Sequence, residues 1–308
     1  MRQLEYNDYW FNYVFEADPQ EIKDAVKQEY IISEGLKIHL DIYDNKEPLD
    51  KTVIFIPGTA MYSRFYAEFC YSLYKKGFRV VVPDMPGHGL SEGSRGHFTM
   101  DTFTKTTYDV TSHVLDTYQG KVAIMGSSLG GITALYSIAN DDERLSAAIC
   151  HNAALFDEKD YKRIVPIKGI LRVLLPMVPI AATIAPRAKF SVWLYLKAEN
   201  LAKTEEILSK IDILKKDKLL SQKYSARAIR TQQKAPMAKK IEQIISPVMI
   251  INSDGDVLFS VEHMTELYNR LTCKNKSLEI IENASHLIFQ ENIEESLKRI
   301  VPWLNKVL

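Results

Sequence analysis

The sequence predicts an α/β fold built on a mainly parallel sheet, and three observations carry that expectation. Short apolar, β-branched runs at 52–57 (TVIFIP), 79–84 (RVVVPD), 121–126 (KVAIMG), 145–150 (LSAAIC), 247–252 (PVMIIN) and 277–282 (SLEIIE) read as strands. They are near-continuous rather than alternating, as strands covered on both faces require. Helix-like stretches at 63–77, 102–118, 129–140 and 260–271 lie between them and are long enough for crossovers. An alternating pair, 26–33 and 36–43 around Glu34-Gly35, comes first and reads as an antiparallel hairpin.

The strand rhythm breaks once. From about 155 to 240 the sequence is helix-like and punctuated by proline, with no convincing strand. That span is too long for one crossover and too rich in apolar residues for a loop. It is expected to form a helical cap over one edge of the sheet, with amphipathic helices from Thr204 (TEEILSKIDILKK) and from Leu219 (LLSQKYSARAIRTQQ). The expected organisation is an aromatic-rich extension at 1–25, core at 26–154, cap at 155–240 and core again at 241–308.

Composition narrows the function classes. The 308 residues are 46% apolar and 25% charged, and 39 basic residues balance 39 acidic ones. A net charge of zero argues against a nucleic-acid partner, and the apolar content argues against disorder. Cys70, Cys150 and Cys273 form no C-x-x-C pair, which favours a reducing compartment. The N-terminus, MRQLEYNDYWFNYVFEADPQ, has the wrong pattern for a secretory signal. The uncharged, proline-punctuated stretch Val173–Pro186 has 14 residues and three prolines, short of the roughly 20 apolar residues of a membrane span. A cytoplasmic protein is expected.

The most informative motif is GSSLG at 126–130, which follows the strand KVAIM and opens the helix ITALYSIA. A G-x-S-x-G in that context turns the chain sharply from strand to helix and holds the central serine exposed. Ser128 is therefore the candidate nucleophile, and Ser127 occupies the variable position beside it. A serine hydroxyl needs a base, and the base needs an orienting acid, both from the ends of later strands. Of seven histidines, His286 (NASHLIF) lies just past the strand 277–282. His39, His113, His151 and His263 read as structural or solvated; His88 and His97 precede the serine in a glycine-dense loop, PDMPGHGLSEGSRGHF, expected to form a rigid rim. The loop after 247–252 reads SDGDVLFS and offers Asp254 and Asp256 as the acid. Backbone N–H groups must also stabilise the developing oxyanion. Leu129, after the nucleophile, and Thr59, in PGTAMYS after the strand 52–57, are the candidate donors.

Together these residues resemble the α/β-hydrolase superfamily over about residues 26–306. DMPGHGLSEGSRGHF at 84–98 and GSSLGG at 126–131 are similar to the corresponding segments of monoglyceride lipase and lysophospholipase-like serine hydrolases. The resemblance implies a mixed eight-stranded sheet with flanking helices, a cap inserted after the sixth strand, and hydrolysis of carboxylic esters through an acyl-enzyme. It implies Ser128 as nucleophile, His286 as base, Asp256 rather than Asp254 as acid, and Thr59 and Leu129 as oxyanion donors, with no metal or organic cofactor. Where the family carries His-Gly before the first donor, this chain has Pro57-Gly58. Serine at the elbow disfavours the dehalogenases and epoxide hydrolases, which attack with aspartate. Small-ester esterases, thioesterases and peptidases share the triad, and a non-catalytic ligand-binding protein is the rival class.

Charge divides at the same place as the strand rhythm. Residues 157–240 hold 19 lysines and arginines against 8 acids, a net of +11, which leaves −11 on the rest. Apolar sequence at 164–196 is bracketed by Lys168, Arg172, Arg187 and Lys189. Either it packs on the core and lines an acyl pocket, or it meets a lipid surface with basic groups against anionic headgroups. Both readings point to an acyl ester substrate with an apolar chain.

Overall fold

The computed structural model describes residues 13–44, 49–141, 143–156, 174–194, 196–197 and 201–308. A short helix, α1 (Pro19–Ala25), capped by Asp18, leads into the hairpin of β1 (Val26–Ser33) and β2 (Leu36–Tyr43). Then follow β3 (Lys51–Ile56), α2 (Ala67–Lys75), β4 (Arg79–Pro83), α3 (Met100–Thr117), β5 (Lys121–Ser127), α4 (Leu129–Asn140) and β6 (Ala147–His151). Between β6 and the next core strand lie α5 (Val178–Ile184), β7 (Lys189–Ser191), α6 (Glu205–Ser209), α7 (Ile211–Lys216), β8 (Lys223–Ser225) and α8 (Ala226–Gln233). The chain closes with β9 (Val248–Ser253), α9 (Val261–Arg270), β10 (Ser277–Ile281), α10 (Ile288–Glu291) and α11 (Ile293–Val307).

Eight strands form one sheet in the order β1-β2-β4-β3-β5-β6-β9-β10. Only β2 runs against its neighbours; β4 through β10 pair in parallel. This is the mixed sheet the sequence predicts, and its central strands β3 to β6 and β9 are buried because helices cover both faces. One apolar cluster packs α3 and α4 on the sheet, and a second packs α2 and α11 on the other side. The strand order reverses between β3 and β5, where the chain goes first to β4 and then back past β3. Crevices at such a switch point, beyond the carboxyl ends of the strands, are where α/β sheets bind ligands.

The segment between β6 and β9 differs from expectation in two ways. It contains a small antiparallel ladder, Lys189–Ser191 against Lys223–Ser225, where no strand is expected. The helix expected from Leu219 starts only at Ala226, because Ser225 sits in an extended conformation and its side chain caps the Ala228 N–H at 3.1 Å. Residues 217–225 are instead a strap whose backbone bonds to the rim loop: Gly89 N to Leu219 O, and Ser225 N to Gly96 O. Tertiary hydrogen bonds outweigh the helical periodicity there. The helix expected from Thr204 is present as two pieces, α6 and α7, that meet at Lys210. Of the apolar stretch 164–196, residues 164–173, with Lys168 and Arg172, lie outside the described residues, as do residues 1–12 of the aromatic extension. The rest of that extension is docked: the buried Tyr13 hydroxyl donates to Asp217 at 2.7 Å, and the N–H groups of Phe15, Glu16 and Ala17 converge on the Glu68 carboxylate.

Under the rim loop lies a buried charge cluster of His39, Asp41, Arg64 and Asp84. His39 donates Nδ1–H to Asp84 at 3.1 Å and places Nε2 3.3 Å from Asp41. Asp84 also accepts from the N–H groups of Ser63 and Leu90, both at 2.7 Å, which ties the loop after β3 to the rim loop. Burial would lower the His39 pKa, but Asp41 and Asp84 more than offset it and raise it above the ordinary histidine value. A raised folded-state pKa contributes stability that is complete below the unfolded histidine value of about 6.5 and is lost as pH rises through the folded value. The urea midpoint should therefore decline from pH 6 to pH 9. In His39→Gln, measured in the same titration, that alkaline decline should disappear.

Candidate active site

Ser128 stands between β5 and α4 with φ +54° and ψ −116°, a conformation rare for any residue with a Cβ. Two glycines make the turn possible. A Cβ on Gly126 would collide with the carbonyl of Gly130, and one on Gly130 with the carbonyl of Ile56. The Ser128 N–H is held by the His151 carbonyl at 2.8 Å, and its own carbonyl accepts from Ile132 at 3.0 Å to start α4. The side chain is part-exposed, as a nucleophile must be.

The expected acid and base come together. His286, in the loop after β10, donates Nδ1–H to Asp256 Oδ2 at 2.7 Å. Asp256 is buried, whereas Asp254 is exposed, which decides between the two carboxylates. Each Asp256 oxygen accepts twice. Oδ1 takes the N–H groups of Leu258 (2.8 Å) and Phe259 (3.0 Å), and Oδ2 takes His286 and Asn152 Nδ2 (3.0 Å). Burial alone would raise this carboxyl's pKa. The charge and hydrogen bond of His286, the nearby His151 and the Leu258 N–H hold it down at about 2. The His286 ring stacks on Phe259 at 6.0 Å between centroids, which fixes its plane. Ser128 Oγ and His286 are not hydrogen-bonded to each other among the described residues; such contacts often tighten only around substrate.

The expected oxyanion donors lie at the ends of the adjacent strands β3 and β5. Thr59 lies in a turn closed by Met61 N to Gly58 O at 3.1 Å, with Ala60 at φ +68°. Among the described residues, neither the Thr59 nor the Leu129 N–H has a hydrogen-bond partner. The strap holds this turn from above: Ser221 N donates to Ala60 O at 3.0 Å, and Ala60 N donates to the Tyr224 hydroxyl at 2.7 Å. His88 bonds the same hydroxyl at 3.2 Å and His97 bonds Ser225 Oγ at 2.9 Å, so both rim histidines grip the strap. Burial and the charge of Arg95 drive His88 down to about 4, against the pull of the Pro86 carbonyl.

Asn152, His151, Tyr66 and Tyr224 are absent from the sequence-derived site. Asn152 follows β6 at φ +63° and is fully buried; its amide bridges Asp256 and Asn252 Oδ1 (2.7 Å). Its one sequence signal is an asparagine directly after a strand, a residue type that tolerates the left-handed region. For metal binding, His151, Asp256 and His286 present donor atoms within 4.8 Å of one another. No other such cluster occurs among the described residues. The short Nδ1–Oδ2 separation of 2.7 Å makes this cluster an acid–base pair with a neighbour rather than a vacant ligand set.

The sheet, its switch point and the elbow define an α/β-hydrolase. The family described as serine aminopeptidase, S33, matches residues 47–293, and the chain belongs to that family. An uncharacterised abhydrolase domain-containing protein of Dictyostelium discoideum is 23% identical over 269 residues, or 83% of this chain. The chain spans only 26% of that relative's length. Among solved structures, a monoacylglycerol lipase of Paleococcus ferrophilus superposes with a TM-score of 0.72 at 22% identity, covering 92% of this chain and 99% of that one. A soluble variant of monoglyceride lipase from Saccharomyces cerevisiae, in complex with a substrate analogue, gives 0.75 at 16%, covering 91% and 94%. At these identities the likeness is one of fold.

The Asn152 geometry has a direct consequence. Asn152→Ala removes a hydrogen bond to a buried charge and leaves a Cβ at positive φ, whereas Asn152→Gly removes only the bond. Urea unfolding should show a loss of roughly 1.5–3 kcal/mol for Asn152→Gly, and roughly 1 kcal/mol more for Asn152→Ala. Equal stabilities for the two variants would contradict the strained backbone assigned to residue 152.

Proposed function

We propose that the protein is a serine hydrolase cleaving carboxylic esters with an apolar acyl chain, of the monoacylglycerol or lysophospholipid kind. The observation that carries this is a buried, hydrogen-bonded Asp256–His286 pair at the strand ends next to a serine held at positive φ in the elbow. Ser128 Oγ attacks the ester carbonyl while His286 Nε2 takes its proton; the alkoxide that leaves takes that proton back as the alcohol. The oxyanion formed on the way is met by the Thr59 and Leu129 N–H groups. Water, activated by the same histidine, then releases the acid and restores the serine. Asp256, ionised at any neutral pH, orients His286 and balances its positive charge.

The acyl preference rests on the surroundings. Val192, Leu196 and Leu201, from the segment between β6 and β9, belong to the same apolar cluster as Leu129, Leu258 and Phe259. The lipase names of the two superposed structures favour the same substrate class. Ile180 and Ile184 on α5, and Met177 just before it, lie at helical spacing and are 53%, 78% and 52% exposed, with Arg187 and Lys189 exposed just beyond. That face is part of the proposal as a peripheral contact with anionic lipid, used by a protein acting in the cytoplasm. Among the described residues no helix is long and apolar enough to cross a membrane. The family's description favours one second reading, an aminopeptidase that acts on the same triad.

The protein should form a covalent adduct with a fluorophosphonate and turn over p-nitrophenyl esters, faster with longer acyl chains. Ser128→Ala should abolish the adduct and lower kcat by roughly 10⁴-fold or more. Faster turnover of aminoacyl p-nitroanilides would move the assignment to the peptidase, and a preference for acetate esters would remove the lipid substrate. Sedimentation with vesicles containing anionic lipid should carry the protein down at low salt, and Ile180→Glu/Ile184→Glu should abolish that. Equal sedimentation of the double variant would remove α5 from the lipid contact.

A further inference from the structure

We propose that Tyr13 is a positioning residue for the turn that presents Thr59, acting through the buried Asp217 carboxylate, and that the segment it belongs to clasps this turn to the strap. The proposal rests on the ester-hydrolase reading above, in which the Thr59 N–H meets the oxyanion. It gives the described part of the aromatic-rich extension a role in that chemistry.

Asp217 ends α7 and begins the strap, and it is buried. Three donors from three parts of the chain meet on its carboxylate. Oδ2 accepts from the Tyr13 hydroxyl at 2.7 Å and from the Tyr62 hydroxyl at 2.8 Å, and Oδ1 accepts from the Leu219 N–H at 2.7 Å. Both tyrosines are buried, and their rings meet edge-on with centroids 6.5 Å apart. Burial, and then the charge of Asp217, raise the Tyr62 pKa well above the ordinary tyrosine value, so that hydroxyl keeps its proton and donates it. Tyr62 follows directly on the turn from Gly58 to Met61 that carries Thr59. Leu219 opens the strap, whose Ser221 N–H and Tyr224 hydroxyl bond the two backbone groups of Ala60 in that turn. One carboxylate thus fixes both the turn and the strap that grips it.

The segment is built to hold Tyr13 at this point. The N–H groups of Phe15, Glu16 and Ala17 converge on the buried Glu68 of α2 at 2.8, 2.7 and 2.5 Å, so the chain just after Tyr13 is anchored to the core independently of the strap. The Tyr13 ring also packs edge-on against Phe65, which follows the turn, at 5.4 Å between centroids. Filling that space needs only the ring, and phenylalanine would serve as well. The hydroxyl is needed for Asp217. A buried carboxylate that loses one of its donors is left short of partners, and it regains them by moving toward water. Such a movement takes Leu219 and Tyr62 with it, so it loosens the strap on one side and the turn on the other. The result is a less fixed Thr59 N–H in a protein whose core is otherwise intact.

The test is kcat and KM on a p-nitrophenyl ester, with kcat expressed per serine titrated by a fluorophosphonate. It compares wild type, Tyr13→Phe, Asp217→Asn and the double variant, with Ser128→Ala as control. Tyr13→Phe should lower kcat per titrated serine about 5–20-fold, short of the roughly 10²–10³-fold cost of losing an oxyanion donor outright, with KM within about twofold of wild type. A role in folding alone would lower the number of titrated serines and leave kcat for each of them unchanged. Asp217→Asn should lower kcat at least as far, and adding Tyr13→Phe to it should change kcat by less than about twofold. An unchanged kcat per titrated serine in Tyr13→Phe, or single effects that multiply in the double variant, overturns the proposal. If thermal melting shows that Asp217→Asn does not fold, Tyr62→Phe takes its place in the cycle, and effects that multiply there overturn the proposal in the same way. Wild-type protein that the fluorophosphonate leaves unlabelled would mean that the hydrolase reading itself has failed; labelled, active wild type with kcat unmoved in Tyr13→Phe would mean that only the clasp has.

Discussion

Ser128 at φ +54° is the constraint around which the rest of the structure is arranged. A residue with a Cβ pays on the order of 1–2 kcal/mol to stand there. It stays because its neighbours leave the chain no other path. Gly126 and Gly130 pack so closely that α4 can enter only at one angle, and Gly130 lies directly on the Ile56 carbonyl at the end of β3. The same contact that shapes the elbow therefore fixes its distance from the loop that carries Thr59. Ser128 and the loop with Thr59 are set on adjacent strands at the reversal of strand order, and neither can shift without moving the other.

The acid–base side is built differently, from saturation rather than strain. Asp256 has no lone pair left to seek another partner, and Asn152, itself at positive φ, reaches across from β6 to occupy one of its oxygens. The lateral order β5-β6-β9-β10 is what makes this possible: the ends of four neighbouring strands supply Ser128, then His151 and Asn152, then Asp256, then His286.

How much of this was legible in the sequence depended on how local each signal is. Strands β3 to β6, β9 and β10 and helices α2, α3, α4 and α9 lie within a few residues of where their apolar runs place them, because burial on both faces writes a continuous pattern. Ser128, His286 and Asp256 were legible because a motif, a strand end and a chain order each narrowed the choice to one or two positions. Asn152 was not, since its importance comes from neighbours 100 residues and more away in the chain, and a single residue after a strand carries no periodicity. The β7–β8 ladder was missed for a related reason. Three-residue strands are too short for alternation, and their pairing depends on a return of the chain more than 30 residues later.

The rim loop ended with a larger part than a rigid border. His88 and His97 both hold the strap, and the strap holds Ala60 from both sides: by its carbonyl through Ser221 and by its amide through Tyr224. Because His88 gives its Nδ1 proton to the Pro86 carbonyl, its Nε2 must accept from Tyr224, and the tyrosine oxygen is then free to accept from Ala60. Every group in that chain has one possible role, so the turn that presents Thr59 is fixed from the segment above it as firmly as from the sheet below. The +11 of that segment against the −11 of the rest favours the same closure. The segment between β6 and β9 is thereby joined to the turn after β3 through both backbone groups of one residue, Ala60.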